Sequence, residues 1–469
     1  MSVTQRYTPG GMNILMKTVM PEVTWPAMVP GRAADLLAIL HQLEQTQWWP
    51  AERIVEHQMK QLKLVLIHAY QNSTFYRLRM DKAGFDPAVP LNKARWSQLP
   101  ILARDEVQDV GESLYCQSFP STHGGTYETQ TSGSTGKVVK VRGTHLTNFF
   151  WQAVTLREHH WHRRDFTGTL SVIRFTPEGT PPEGTVFRDW GLPANQLYNT
   201  GPSMTLNIAT DIRKQSAWLE THQPHYLLTY PSNLAGLISH FREDGISLKN
   251  LREVRTIGET LTPALRRACR ENLGVPVIDL YSSQEMGYIA LQCPECESYH
   301  IQAEVVFVEI IDDAGKPCAP GEIGRVVVSG LHNFAMPLIR YEVGDYAEVG
   351  VDCSCGRGLP TISRILGRSR NLLTLPTGER FWPILGFQHY REIAPIRQFQ
   401  LVQRTLDRIE ARLVVNAPLD KFQENKLTAL IQQSMGYPFK IEFTYLDQIP
   451  KSVAGKFEEF ISEVTPVTI

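Results

Sequence analysis

Thr131-Ser-Gly-Ser-Thr-Gly-Lys137 sets two glycines, four hydroxyl side chains and one lysine in seven positions. Such a segment can turn backbone N–H groups and side-chain donors toward a chain of phosphates, while the lysine adds positive charge. It is not a Walker A loop, which needs four residues between its glycines and a helix directly after the lysine. Here only Ser134 and Thr135 separate Gly133 from Gly136. The following Val138-Val-Lys-Val-Arg142 is β-branched and strand-like. The expectation is a strand–loop–strand holder for a triphosphate. The plain alternative is a Gly/Ser hairpin turn that holds nothing.

Outward from that loop, the periodicity changes with position. From Ala33 to about Arg79 it is helical, with Leu36, Ile39, Leu40 and Leu43 on one face and Met59, Leu62, Leu66 and Ile67 continuing the spacing. After Pro100, strands and helices alternate. Leu227–Tyr230 reads as a strand passing into a helix over Asn233–Arg242, with Pro231 near its first turn. Val254–Ile257, Val277–Tyr281, Val305–Ile311 and Gly324–Ser329 are short β-branched runs bounded by Gly, Pro or Asp. Beyond Gly367-Arg368 the order is strand (Gln398–Gln403), strand (Ile409–Val415), helix (Lys421–Met435), strand (Lys440–Leu446). The fold class expected is α/β: a large multi-layer N-terminal domain of mixed sheets and helices over 1–366, with 1–32 as a loosely ordered lead-in. A small, mobile α+β C-terminal domain over 367–469 completes it.

Several further segments, taken in order with the glycine loop, resemble the adenylate-forming superfamily of acyl-CoA synthetases, luciferases and peptide-synthetase adenylation domains. Thr131–Lys137 resembles its phosphate loop, and Tyr281-Ser-Ser-Gln-Glu285 its Tyr-Gly-x-Thr-Glu segment. Arg340-Tyr-Glu-Val-Gly-Asp345 resembles Arg-Tyr-x-Thr-Gly-Asp, Ile365-Leu-Gly-Arg368 the hinge, and Ile449–Lys456 the C-terminal lysine loop. Glu44–Trp48, His68-Ala-Tyr70 with Phe75-Tyr76, and Leu99-Pro-Ile-Leu102 are similar to the N-terminal region of the phenylacetate–CoA ligase group.

The resemblance implies an ATP-dependent acid–thiol ligase that joins a carboxylic acid to AMP and passes the acyl group on. CoA is the first-choice acceptor, and the acid is expected to be aromatic or aryl-alkyl. Adenylation is in-line attack of a carboxylate on the α-phosphate, so catalysis is chiefly positioning and charge neutralisation. The resemblance assigns the β- and γ-phosphates to Thr131, Ser132, Gly133, Ser134, Thr135, Gly136 and Lys137. It assigns Mg²⁺ to Glu285, whose hard carboxylate oxygen suits that ion. Tyr281 would offer a ring face to adenine, with Ser282 beside it and the Gly258-Glu259 turn lining the same pocket. Asp345 would bind the ribose hydroxyls, Arg368 the ribose or α-phosphate, and Lys456 would bridge the carboxylate and the α-phosphate oxygen. Read without the resemblance, Glu285 is a helix-start acid, Asp345 a turn residue and Lys456 a surface lysine. The chain departs from the pattern at the hinge, where Arg370-Asn371 stands in place of acidic residues. A carrier-protein thiol or an amine is therefore kept open as acceptor, and a non-catalytic nucleotide-binding protein is the second rival.

Seven cysteines include two tight pairs, Cys293-Pro-Glu-Cys296 and Cys353-Ser-Cys355, with His300 close by. Two chelating pairs joined through the fold point to a structural Zn²⁺, with Cys293, Cys296, His300, Cys353 and Cys355 as five candidates for four places. Cys296 or His300 is the spare. Free buried thiols are the alternative. His159-His-Trp-His-Arg-Arg164 reads as the cover of a helix end, with an acyl-pocket role as the sharper alternative. Trp190, Tyr198 and Tyr230 are either core or part of an acid pocket.

Hydrophobic residues make up 42%, charged residues 20%, and the net charge is -1. No broad attraction for nucleic acid or anionic membrane follows; the partners the resemblance implies are a small carboxylic acid and a CoA, carrier-protein thiol or amine acceptor. The apolar runs fall short of a membrane span and no secretory signal pattern opens the chain, so a cytoplasmic protein is expected. A homodimer is left open.

Overall fold

The computed structural model describes residues 16–23, 25–130, 139–176, 179–383, 390, 393–449 and 457–464. The phosphate loop Thr131–Lys137 and Lys456 lie outside the described residues. The chain divides into two compact units, Met1–Val343 with Ala347–Ile365, and Gly344–Tyr346 with Leu366–Ile469.

The expected long helical run is three helices, Gly31–Thr46, Ala51–Asn72 and Thr74–Lys82. Pro50 is the N-cap of the second helix, and Ser73 is the N-cap of the third, its hydroxyl accepting from the Tyr76 N–H. Leu62, Leu66 and Tyr76 are buried with Trp96 and Leu102 in the main core, and the Tyr76 hydroxyl donates to the Pro337 carbonyl at 2.7 Å. That core also takes in Val326, Val328 and Tyr341 from the sheet, so the N-terminal helices are part of the large unit's architecture rather than an appendage. Truncating one such fully buried Leu to Ala costs about 2–5 kcal/mol.

The large sheet has twelve strands. In spatial order they are Val306–Ile311, Ile323–Gly330, Tyr341–Val349, Thr361–Arg368, Tyr299–Ile301, Gly287–Gln292, Val277–Ser283, Glu253–Ile257, Tyr226–Thr229, Leu170–Arg174, Ser203–Asn207 and Thr185–Phe187. Val277–Ser283 through Ser203–Asn207 pair in parallel, and helices Pro231–Asp244 and Pro263–Leu273 connect consecutive members. The helix Pro231–Asp244 buries Leu234, Leu237, Ile238 and Phe241 on one face and ends at Gly245, φ +68°, a left-handed position that glycine adopts without strain. Parallel strands bring their carboxyl ends to one edge, and there the loops bearing Glu259 and Glu285 begin.

The second unit holds a four-stranded sheet in the order Lys440–Tyr445, Arg408–Val415, Ile396–Thr405, Phe460–Ser462. Helix Lys421–Met435 is closed by an Asp420/Gln423 capping box at its start and by Gly436 at its end. Its Leu427, Ile431 and Met435 pack on Phe399, Leu401 and Ile409 of the sheet. The expected order strand, strand, helix, strand is present, and the three-residue strand Phe460–Ser462 is an addition too short to carry a periodic signal. Among the described residues no helix is long and apolar enough to cross a membrane.

Candidate active site and cysteine cluster

Glu285 sits in the turn that joins antiparallel strands Val277–Ser283 and Gly287–Gln292. Gly287 takes φ +71° and the Met286 N–H donates to the Ser283 hydroxyl at 3.1 Å, which tightens the turn. The Glu285 side chain is only 4% exposed, yet it is charged, so it requires partners. Arg104 Nη1 donates to Glu285 Oε1, and the Tyr341 hydroxyl donates to the same oxygen at 3.1 Å. Arg104 Nη1 also reaches the Tyr341 hydroxyl at 2.9 Å, closing a triangle. The Tyr341 hydroxyl is held well above the ordinary phenol range, first by burial and then by the neighbouring carboxylate. Arg104, the first residue of helix Arg104–Val110, was not among the expected site residues. Its signal in the sequence was faint: a basic residue two positions after Leu99-Pro-Ile-Leu102.

Gly258 takes φ +75° directly after strand Glu253–Ile257, and this turn directs Glu259 onto helix Pro231–Asp244. Glu259 Oε2 accepts from the Ser232 N–H at 2.8 Å and Oε1 from the Ser232 hydroxyl at 3.0 Å. A carboxylate there satisfies an otherwise unpaired first-turn donor and meets the positive end of the helix dipole. Tyr281 is 6% exposed and belongs to the main core, and the register shift between Tyr281 and Ser282 re-aims the end of the strand. Thus most of the Tyr281 ring is packed against protein.

In the second unit Arg368 Nε lies 3.7 Å from Asp345 Oδ1, and the Arg368 N–H donates to Asn371 Oδ1 at 3.2 Å. Gly344 precedes Asp345 with φ +86°. Arg340, whose presence beside Tyr341 strengthened the motif, points elsewhere in the large unit. Its guanidinium binds both Glu309 oxygens and the Ser97 and Leu99 carbonyls, a structural duty.

The cysteines converge. Cys293 follows strand Gly287–Gln292, and Cys355 precedes Gly356, φ +81°. Cys293 Sγ is 3.7 Å from Cys353 Sγ, Cys296 Sγ is 3.6 Å from Cys353 Sγ, and Cys355 Sγ is 3.3 Å from His300 Nε2. The ligand atoms of Cys293, His300, Cys353 and Cys355 all lie within 4.8 Å of one another, which leaves Cys296 outside the mutually close four. Metal–sulfur bonds of about 2.3 Å at tetrahedral angles put two sulfurs about 3.8 Å apart, so the spacing fits one small ion. His300 Nδ1 faces the Leu359 carbonyl at 3.4 Å, leaving Nε2 for the cluster. Cys355 is favoured as thiolate, first by the bond from Cys293 and also by His300, while the Cys293 thiol is driven up.

The His159–Arg164 stretch is a buried ionic network. Glu158 is fully buried between Arg164 Nη2 at 2.5 Å and Arg255 Nη2 at 2.6 Å, and Arg164 Nε bonds Glu253 at 2.6 Å. Burial alone would raise the Glu158 carboxyl, but the two guanidinium groups hold it well below the usual range. Trp190 and Tyr198 pack with Phe166, and Tyr230 with Leu234 and Leu237, so all three are core.

Burial pushes His160 down to about 4, His162 to about 3 and His332 to about 4. The unfolded chain protonates these rings near pH 6.5 and the folded chain does so only near 3–4, so stability falls as pH drops through that window. Asp279, raised by burial to about 6, works in the opposite direction over the same window, as do Glu44 and Glu253, whose carboxyls burial also raises. Urea unfolding is expected to show a net loss between pH 7 and 4.5, on the order of 2–3 kcal/mol per histidine before the offset from these carboxyls. His160→Phe should flatten the slope.

Residues 126–336 match the AMP-binding enzyme family, and residues 387–463 match the CapK C-terminal domain. The phenylacetate-coenzyme A ligase of Thermus thermophilus is 25% identical over 460 residues, covering 88% of this chain and 97% of its own length. That of Pseudomonas putida is 23% identical over 398 residues, 80% of this chain and 85% of its own. Among solved structures, a 2-hydroxyisobutyryl-CoA ligase in the postadenylation state superposes with a TM-score of 0.70 at 18% identity, covering 90% of this chain and 92% of that one. At that identity the likeness speaks for the fold.

Proposed function

We propose that the chain is an adenylate-forming enzyme of the phenylacetate–CoA ligase-like group, which condenses a carboxylic acid with ATP to an acyl-adenylate and pyrophosphate, then transfers the acyl group to CoA. The substrate on this reading is an aromatic or aryl-alkyl acid. The observation that carries the proposal is the Glu285 carboxylate, buried to all but 4% where the strand before its turn ends, inside the segment that matches the AMP-binding family.

In the proposed mechanism Glu285 would hold Mg²⁺, which would supply charge neutralisation at the phosphates. Arg104, which shares the Glu285 carboxylate, would be able to donate hydrogen bonds to a neighbouring phosphate. Glu259 fixes the start of helix Pro231–Asp244 and with Gly258 borders the nucleotide. Tyr281 contributes the exposed margin of its ring. Asp345 accepts from ribose hydroxyls with Arg368 beside it. Thr131–Lys137 take the β- and γ-phosphates, and Lys456 supplies charge to the attacking carboxylate and α-phosphate. Cys293, His300, Cys353 and Cys355 would hold a Zn²⁺ in a structural role, since four protein donors meet its usual ligand number without substrate.

Pyrophosphate exchange across a panel of carboxylic acids tests the first half-reaction. Discharge of the acyl-adenylate to CoA, to amines and to a carrier-protein thiol, run side by side, tests the second. Exchange with at least one aryl acid and discharge chiefly to CoA are expected. Discharge to an amine or a carrier thiol alone would replace CoA as acceptor, and absence of exchange with every acid would leave a nucleotide-binding protein without ligase activity.

A further inference from the structure

The hinge departure has a partner in the structure. Arg370, where the superfamily pattern calls for an acid, places both Nε, at 3.1 Å, and Nη2, at 2.5 Å, on one oxygen of Glu458. Both side chains are about three-quarters buried, 24% exposed each, so the pair is less screened than a surface bridge. Glu458 stands two residues after Lys456. Next to it, Asn371 Nδ2 donates to the Phe460 carbonyl at 2.6 Å. From the other side Gln400 Nε2 donates to the Glu458 carbonyl at 2.9 Å, and the Leu401 N–H to the Glu459 carbonyl at 2.8 Å. The chain leaving the lysine loop is therefore held between the hinge turn Ser369–Asn371 and strand Ile396–Thr405, all within one unit. An acid at position 370 would instead repel Glu458.

We propose that Arg370 is a positioning residue: its bond to Glu458 ties the hinge turn to the segment that follows the lysine loop, and through that tie it serves the adenylation half-reaction. This rests on the adenylating reading above. The pair is one structural device, so its two halves act non-additively.

A double-mutant cycle on the full-length protein tests it, with Arg370→Gln, Glu458→Gln and the double variant. Pyrophosphate exchange is read separately from discharge of pre-formed acyl-adenylate. Each single variant is expected to lower the maximal exchange rate about 10-fold with KM for ATP unchanged and discharge within about twofold, and the double to be no slower than either single. Multiplicative losses in the double, equal losses in both half-reactions, or no loss in either single each overturn the proposal. Wild-type protein that exchanges with no acid sinks the enzymatic reading instead. Wild-type exchange that Lys456→Ala abolishes and the Gln variants spare sinks only the Arg370 tie.

Discussion

Glu285→Gln is expected to reduce carboxylate-dependent pyrophosphate exchange by about 10²–10³-fold, and Lys456→Ala by a similar factor, since each removes one preorganised group aimed at developing charge. The two should differ in how they fail. Glu285→Gln keeps the shape of the side chain but removes the charge that faces Arg104 and, on the proposed mechanism, Mg²⁺. Its loss should therefore shrink as Mg²⁺ is raised. Arg104 also loses its counter-charge in a site where Glu285 is almost wholly buried, so a stability cost of about 3 kcal/mol accompanies the kinetic one. Lys456→Ala leaves that triangle intact and should bind ATP as wild type does. Steady-state exchange at varied Mg²⁺, with ATP affinity measured by calorimetry, separates the two. Exchange at the wild-type rate in Glu285→Gln would remove that residue from the mechanism.

Loss of the cysteine cluster is the largest stability effect expected. Zinc analysis of the purified chain should give about one ion per molecule, and Cys355→Ser should abolish it with a stability loss on the order of 5 kcal/mol, because a structural ion binds the folded chain alone. Cys296→Ser should keep the ion, since Cys296 is outside the four mutually close ligand atoms. Prolonged chelation should reproduce the Cys355→Ser phenotype. The reach of the loss follows from the fold. Cys293 extends the strand whose other end adjoins Glu285, His300 lies on the neighbouring strand, and the loop after Cys355 sends the Gly358 N–H to the Gln47 carbonyl at 2.9 Å. A protein free of metal whose Cys355→Ser variant unfolds like wild type would leave the cluster as closely spaced thiols and an imidazole.

Much of the architecture was legible along the chain. Alternating β-branched runs with glycine and proline at their ends located the strands Glu253–Ile257, Val277–Ser283, Val306–Ile311 and Ile323–Gly330 to within two residues, but not Gly287–Gln292 or Tyr299–Ile301; helix Lys421–Met435 was expected at its observed bounds. The helical pattern over Ala33–Arg79 is three helices, whose breaks at Pro50 and Ser73 the apolar spacing alone does not mark. Likewise the histidines after Glu158 read as an exposed helix end. Arg164 and Glu158 take their partners, Glu253 and Arg255, from a strand that no local pattern ties to that segment.

The same division holds at the site. By themselves the residues determined which chemistry is on offer: a hydroxyl-and-glycine turn, an acid after a strand, a lysine near the end, two close cysteine pairs. Those signals are local, since turn geometry, periodicity and chelating spacing act over a few residues. Only the tertiary structure decided which groups meet. Arg104 reaches Glu285 across 181 positions, Cys355 reaches His300 across 55, and Arg370 reaches Glu458 across 88. Buried charges and thiols choose partners by distance in space and by the cost of leaving them unpaired, and neither quantity is written in the order of residues along the chain.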